Sequence, residues 1–442
     1  MTLHPLIRHS RLEAPLAYRD GRPISAAEFL GDAAALAALL PPHRHVINLC
    51  RDRYRFTVGL AAALMREQIS LLPPNDLPAV IEQLAVDFGD LYCLSDGAAT
   101  PPAIALLTYP DPLARRSAPV AVPAFPDGQP AIVLFTSGST GRPKPQRRSW
   151  GALARSAVAA GDRLGVAALG AAAIVGTVPH QHSYGIESTV MLGLQHGLAL
   201  QAERPFYPGD VATCLAALPR PRILVTTPIH IRALLAEGEL PPLDLLISAT
   251  APLSAQLAAE AEARFAAPLS EIYGCSEAGQ LATRRTSRSM EWSALENVRL
   301  RQDERGTWAS GGPVETETLL NDVIELIAPA RFLLHGRTAD LVNIAGKRTS
   351  LAHLNHHLTA IEGVLDGVFV MPQDEADGVA RLMAYVVAPG ISAETIMAAL
   401  RQRIDGAFLP RPLVLVDALP RNPLGKLTQD ALGLLAPQQG LR

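Results

Sequence analysis

A chain of 442 residues with 48% hydrophobic content is long enough to bury a large core and to divide into two or three domains. Its net charge of -3 provides no basic field for nucleic acid or an anionic membrane. Its longest apolar stretch, Ala167 to Val178, is too short to span a bilayer. Met1 to Leu16, broken by His4, Pro5, Arg8, His9 and Arg11, has no signal-peptide core, and Cys50, Cys93, Cys214 and Cys275 lie far apart, so a cytoplasmic location without structural zinc or disulfides is expected.

In chain order, Ser25 to Leu40 has helical spacing and stops at Pro41-Pro42. His45 to Cys50 reads as a strand, and Arg55 to Gln68 and Pro78 to Phe88 read as helices. From Ala131 short apolar runs alternate with amphipathic ones. Strands are predicted at 131–136, 173–178, 198–202, 222–227, 243–249 and 269–273, and helices at about 150–160, 185–195, 210–217, 229–236 and 254–264. That alternation predicts an α/β fold, mainly parallel and flanked by helices. Ligands of such sheets collect outside the carboxyl ends of the strands. Thr136, Pro179, Pro228, Thr250 and Gly274 all follow strand ends, so one sheet edge is expected to gather these loops.

Residues 280–335 are more polar and β-leaning, with turns at Glu304-Arg305-Gly306 and Gly311-Gly312-Pro313. Beyond 340 comes an α+β pattern: helix near 351–361, strands near 367–371 and 381–387, helix 392–405, strand 412–416, the loop Leu419 to Lys426 and a last helix. The expected division is a large N-terminal domain over 1–336, with its β-leaning part at about 280–335, and a small mobile C-terminal domain over 337–442.

Thr136 to Lys144 reads Thr-Ser-Gly-Ser-Thr-Gly-Arg-Pro-Lys. Gly138 and Gly141 allow close backbone approach to a bulky anion, Ser137, Ser139 and Thr140 donate hydrogen bonds, and Lys144 adds a point charge. An ordinary P-loop needs G-x-x-x-x-G-K-[ST]; here Pro143 takes the second glycine position and Pro145 follows the lysine, so no helix opens directly after it. The stretch is a phosphate loop of another kind or a polar linker. Of 39 basic residues only Lys144, Lys347 and Lys426 are lysines, which marks them as candidates for positions where a planar guanidinium does not fit.

Four further stretches join it: His182-Ser183-Tyr184-Gly185, Ser248-Ala249-Thr250-Ala251-Pro252-Leu253, Tyr273-Gly274-Cys275-Ser276-Glu277, and Gly336-Arg337 with Leu419 to Lys426. In this order and at these separations, from about residue 20 to 435, the chain resembles the adenylate-forming superfamily of acyl- and aryl-CoA ligases, peptide-synthetase adenylation domains and luciferases. The resemblance implies an acyl-adenylate made from ATP and a carboxylic acid with loss of pyrophosphate, then transfer of the acyl group to a thiol. Such transfers need positioning and charge neutralisation more than covalent help.

By resemblance, Thr136 to Lys144 embraces the β- and γ-phosphates, Glu277 holds Mg²⁺, and Ser276 bonds the α-phosphate. Ala249, Thr250 and Ala251 lie along the adenine with Tyr273 and Gly274, and Asp322 and Arg337 reach the ribose. Lys426 bridges carboxylate and α-phosphate, His182 gates the acyl pocket and Tyr184 borders it. Read from the residues alone, Glu277 is equally a helix N-terminal acid, Tyr273 a core tyrosine at a plain strand end, Asp322 an exposed turn acid and Arg337 an interdomain ion pair. Lys347 has no implied role, and His180 with His182 lacks a third metal ligand nearby.

Ala339 stands where many members carry a hinge Asp or Lys, Pro145 where glycine is usual, and Ala249-Thr250 where the adenine loop is richer in glycine. The shortened chain looks most like the AMP-ligases of aryl-polyene and xanthomonadin-type pigment clusters. That implies an aromatic acid, such as a hydroxybenzoate or hydroxycinnamate, loaded onto an acyl carrier protein. Arg284, Arg285 and Arg288, or Arg401, Arg403 and Arg411, are candidates for docking the carrier, with solvated surface as the other reading. CoA as acceptor is the alternative, and a nucleotide-binding protein without ligase chemistry the third. Neither nucleic acid nor membrane is expected as a partner.

Overall fold

The structure, a computed structural model, describes residues 2–97, 104–113, 121–136, 144–237, 239–337, 341–344, 347–371, 382–421 and 427. Two large sheets lie on either side of a shared helical layer. The first has six strands in the order Lys144–Ser149, Pro130–Thr136, Ile69–Leu72, His45–Asn48, Leu91–Ser95, Leu106–Thr108, all parallel except Lys144–Ser149. The second has eleven. Its centre, in the order Leu269–Cys275, Leu245–Ser248, Arg222–Thr226, Ala173–Gly176, Ala199–Gln201, Pro15–Arg19, is parallel. Antiparallel strands extend it: Arg22–Ser25 at one end, and Gly279–Arg284, Trp292–Ala294, Arg331–Arg337 and Asp322–Ala328 at the other.

The parallel α/β expectation holds, but the single edge does not. Thr136 closes a strand of the six-stranded sheet, whereas Pro179, Pro228 and Thr250 follow strands of the other, and Gly274 lies within its strand Leu269–Cys275 rather than after it. Apolar periodicity reports that a strand is buried, not which sheet it pairs into. Ile69–Leu72, Leu91–Ser95 and Leu106–Thr108, which join His45–Asn48 in the first sheet, were not read from the sequence.

Helix Arg53–Met65 belongs to the central layer and is buried along almost its whole length, which is why it has no polar stripe. Its Phe56, Val58, Leu60 and Leu64 share one core with Ile132 and Leu134 of the first sheet and Ile174 and Leu200 of the second. Helices Pro208–Ala216, Pro228–Glu237 and Ala255–Phe265 cover the outer face of the larger sheet through Val211, Leu215, Ile231, Leu234, Leu257 and Phe265.

Residues 299–319 form a three-stranded antiparallel sheet whose turns fall at Glu304-Arg305-Gly306 and Gly311-Gly312-Pro313, as the sequence predicts. Beyond it, helix Leu351–Thr359, strands Asp366–Val370, Met383–Val387 and Leu413–Leu415, and helix Ala393–Arg401 surround a core of their own, with Leu354, Leu358, Phe369, Val386, Ile396 and Leu400 at its centre. The link to the larger part is polar. Ser350, which caps helix Leu351–Thr359, also donates its hydroxyl to the His335 carbonyl. The expected last helix lies outside the described residues.

Two arginines considered for carrier docking are structural instead. Arg284 donates from Nε to Glu271 Oε2 at 2.7 Å, Thr286 donates to the same oxygen at 2.5 Å, and the Arg284 guanidinium lies 4.4 Å from the Trp292 ring centre. Burial pushes the Glu271 carboxyl up, opposed by Arg284 and Thr286. Arg285 forks onto Glu262 at 2.7 and 3.0 Å. A run of arginines in sequence does not disclose that partners on two other elements neutralise them. Breaking a buried pair from one side costs far more than replacing both partners. Glu271→Leu is therefore expected to lower stability by about 3 kcal/mol in urea unfolding, and Glu271→Leu with Arg284→Met to recover most of the loss.

Candidate active site

The phosphate-loop candidate is anchored before it is formed. Strand Lys144–Ser149 pairs antiparallel with Pro130–Thr136, and Lys144 sits opposite Thr136, so the two ends of the loop are held together by sheet register. A strand, not a helix, follows Lys144, as its prolines require. Ser137, Gly138, Ser139, Thr140 and Gly141 lie outside the described residues.

The next anchor is the hairpin joining Leu269–Cys275 to Gly279–Arg284. A Cβ on Gly274 would meet the Gly279 carbonyl at 2.3 Å, and Gly279 has φ +80° with the Arg148 guanidinium beneath it. The two glycines let the strands close on a three-residue turn, Ser276 to Ala278, with Glu277 exposed at its tip. Glu277 is thus a hairpin-tip acid, not a helix N-terminal one. Burial and the Glu277 carboxylate push the Cys275 thiol up to about 12, so it stays protonated beside the turn.

Tyr273 is 7% exposed, packed by Trp292 and Phe332 at 5.6 Å each, and its hydroxyl donates to Asp322 Oδ2 at 2.7 Å. Asp322 in turn stands opposite Arg337 in the antiparallel register of Asp322–Ala328 with Arg331–Arg337. The two ribose candidates are therefore cross-strand neighbours, and Asp322 is a half-buried strand residue rather than an exposed turn acid. After strand Leu245–Ser248, Ala249 is buried, and Thr250 has φ +77°, a backbone region that disfavours a β-branched side chain.

Across the same strand ends lies a second cluster. Ser183–Gly185, Ile186–Met191 and Leu192–His196 form one helix whose middle section is π-helical. Its Tyr184 shares a hydroxyl proton between the carbonyls of Thr226 and Ile247, each at 3.0 Å, and burial holds that phenol protonated. Glu187, 2% exposed, accepts from Ser156 at 2.6 Å, Ser183 at 3.0 Å and the Gln280 N–H at 3.3 Å, which ties the helix to the Glu277 hairpin. His182 occupies the helix N-cap position, half-buried, while His180 is 2% exposed and donates from Nε2 to the Cys50 carbonyl at 2.9 Å. Burial and the nearby Arg53 drive the His180 imidazole down to about 3, so it is neutral.

Sequence reasoning missed the donor that supports this cluster. Arg53, fully buried, donates from Nη1 to the Gln201 and Glu203 carbonyls at 2.7 and 3.1 Å, and from Nη2 to Gly176 at 2.8 Å. Burial lowers its pKa to about 10, still high enough to keep its charge. Glu187 and the Thr177–Thr226–His230 group were also missed. Thr177 and Thr226 hydroxyls meet at 2.9 Å, and His230 Nδ1 lies 3.0 Å from Thr227 and 3.3 Å from Thr177. A polar residue inside an apolar run was the one signal that Glu187 and the threonine–histidine group gave, and Arg53, set among Arg51, Asp52 and Arg55, gave none.

Lys426 lies outside the described residues. Five positions earlier, Arg421 forks onto Asp366 at 2.8 and 2.9 Å, and the charges of both act on Arg232 of helix Pro228–Glu237. Lys347 pairs with Asp405 at 2.6 Å inside the C-terminal part. Among the described residues no group of three or more potential ligands is placed to hold a metal. Mg²⁺ is typically bound through one or two carboxylates with substrate phosphates, so the exposed Glu277 fits that mode alone.

Residues 34–307 match the AMP-binding enzyme family. The chain belongs to that family. It is 29% identical over 299 residues to the 4-coumarate–CoA ligase of Rhodobacter capsulatus, covering 66% of this chain and 74% of that one. It is 26% identical over 346 residues to the 3-hydroxybenzoate–CoA/4-hydroxybenzoate–CoA ligase of Thauera aromatica, covering 67% and 64%. Its fold is that of o-succinylbenzoate CoA synthetase (MenE) from Bacillus subtilis bound to OSB-AMP, with TM-score 0.80 at 17% identity, covering 100% of this chain and 99% of that one. This AMP-binding enzyme is thus of the adenylate-forming, acyl-CoA synthetase type.

Two outcomes are expected of its strand ends. Thr250→Gly relieves a backbone conformation that glycine tolerates and is expected to stabilise the protein by about 1 kcal/mol, read as a higher unfolding midpoint. Arg53→Met strands several buried carbonyls and is expected to cost about 3 kcal/mol or more in the same assay.

Proposed function

We propose that this AMP-binding enzyme joins a carboxylic acid, preferably aromatic, to a thiol through an acyl-adenylate. The observation that carries the reading is the shared sheet edge. The Tyr273–Asp322 bond and the Glu277 turn lie on one side, Tyr184 and the His180 loop on the other, and the Glu187–Gln280 bond joins them. A nucleotide on the first side and an acid on the second would bring a carboxylate against an α-phosphate.

In this reading Thr136 to Lys144 surrounds the β- and γ-phosphates, Ser276 bonds the α-phosphate, and Ala249 to Ala251 with Tyr273 and Gly274 border the adenine. Asp322 and Arg337 hold the ribose. Glu277 would hold Mg²⁺, which offsets phosphate charge when bound. His182 and Tyr184 bound the acid, and Lys426 supplies the ammonium where carboxylate and α-phosphate meet. Residues 1–336 and 337–442 act as separate bodies, the smaller turning between the two half-reactions.

For the acceptor, a carrier-protein phosphopantetheine and CoA both remain compatible with the site. Two observations favour CoA: the relatives above are CoA ligases, and the internal pairs of Arg284 and Arg285 leave only Arg288, Arg401, Arg403 and Arg411 exposed for an acidic carrier. An aromatic acid bound for a pigment-type carrier is the narrower reading.

Carboxylate-dependent ATP–pyrophosphate exchange tests the ligase reading, and absence of exchange with every acid in a panel of aryl and aliphatic acids sinks it. Turnover with CoA against a phosphopantetheinylated carrier decides the acceptor. Lys426→Ala is expected to slow adenylation by about a hundredfold or more while leaving transfer from supplied acyl-adenylate largely intact. Equal loss of both steps contradicts the two-body picture.

A further inference from the structure

His230 is 7% exposed, yet its imidazole is only half used. Nδ1 is held by the hydroxyls of Thr227 and Thr177 at 3.0 and 3.3 Å. Nε2 makes no hydrogen bond among the described residues. It is not sealed in either, unlike His180 Nδ1, which is buried with no partner. A nitrogen kept open on a side chain this buried is available to a bound molecule, and one that covers it without pairing it strands a donor. The Phe206 ring stands edge-on to His230 at 5.2 Å and is 42% exposed, which makes one apolar wall beside the nitrogen. Thr226, whose hydroxyl reaches Thr177 and whose carbonyl accepts from Tyr184, ties His230 to the acid side of the strand ends. Two residues before Phe206, Arg204 is exposed and makes no ion pair or hydrogen bond among the described residues.

We propose that His230 is a specificity-determining residue, selecting acids that carry a second oxygen acceptor, phenolic or carboxylate, far from the reacting carboxylate. Arg204 favours the negatively charged form of that group. The inference rests on the ligase reading above and narrows its substrate class. Burial and the Arg204 charge both lower the pKa of His230, so its ring is neutral at physiological pH. In this proposal Nδ1 accepts from a threonine hydroxyl, so that the single ring proton sits on Nε2 and is available to the acid. An acid lacking the second oxygen leaves that N–H unpaired, and an unpaired buried donor is what discriminates.

The test is pyrophosphate exchange with three matched acids: cinnamate, 4-hydroxycinnamate and 4-carboxycinnamate. Wild type is expected to prefer either substituted acid over cinnamate by about tenfold or more in kcat/KM. His230→Leu is expected to abolish that preference through a raised KM for the two substituted acids. His230→Gln, which can place an amide N–H near the position of Nε2, is expected to restore part of it. Arg204→Met, which removes a charge that also acts on His230, is expected to weaken chiefly the carboxylated acid. Thermal unfolding of each variant separates misfolding from lost recognition. Exchange with cinnamate as efficient as with both substituted acids overturns this inference and leaves the ligase reading intact. Exchange with none of these acids, nor with any acid of the wider panel, overturns both. A preference untouched by His230→Leu and by Arg204→Met assigns recognition elsewhere and overturns the inference as well.

Discussion

Parallel strands end in carbonyl oxygens, and here several of those oxygens are buried. Each left alone would cost on the order of 1–3 kcal/mol. The chain meets that demand with side chains rather than more backbone. Arg53 gathers the ends of Ala173–Gly176 and Ala199–Gln201, Tyr184 bridges those of Arg222–Thr226 and Leu245–Ser248, and His180 reaches the carbonyl of Cys50. The groups that gather at these strand ends are therefore the same groups that satisfy the fold. Rigidity there is a by-product of satisfying the backbone, and a rigid wall is what a site that works by positioning requires.

The side that carries Tyr273, Asp322 and the Glu277 turn is built by different means. Its anchors are antiparallel register and glycine: Thr136 opposite Lys144, Asp322 opposite Arg337, and the Gly274 and Gly279 contact that closes the Glu277 turn. Cross-strand pairs bring residues distant in sequence to one place without a dedicated side-chain network, and they leave turn tips exposed to meet a ligand. The two sides join through Glu187, which accepts from both a helix serine and the N–H of Gln280. The π-helical section carrying Glu187 is a local distortion at a functional place, as such sections often are.

Much of this was legible beforehand. Short apolar strands, amphipathic helices, the glycine-hydroxyl loop, the Tyr273 to Glu277 stretch and the scarcity of lysine are local properties, and local properties survive in a linear text. The separation of the parallel strands into two sheets was not legible. Nor was the engagement of Arg284 and Arg285 with Glu271 and Glu262, because an ion pair depends on what arrives from elsewhere. His230 looked like an ordinary member of a helical segment, and Arg53 lay two residues before the predicted start of another.

The sequence by itself determined the element types, the order of the motifs and hence the family chemistry, because hydrophobic period and turn residues act over a few positions. The tertiary structure alone decided which strand ends share an edge, which arginines are spent internally, and which imidazole nitrogen stays open at His230. Those depend on contacts between residues tens to more than a hundred positions apart, and on the need of every buried polar group for a partner that chain order does not name.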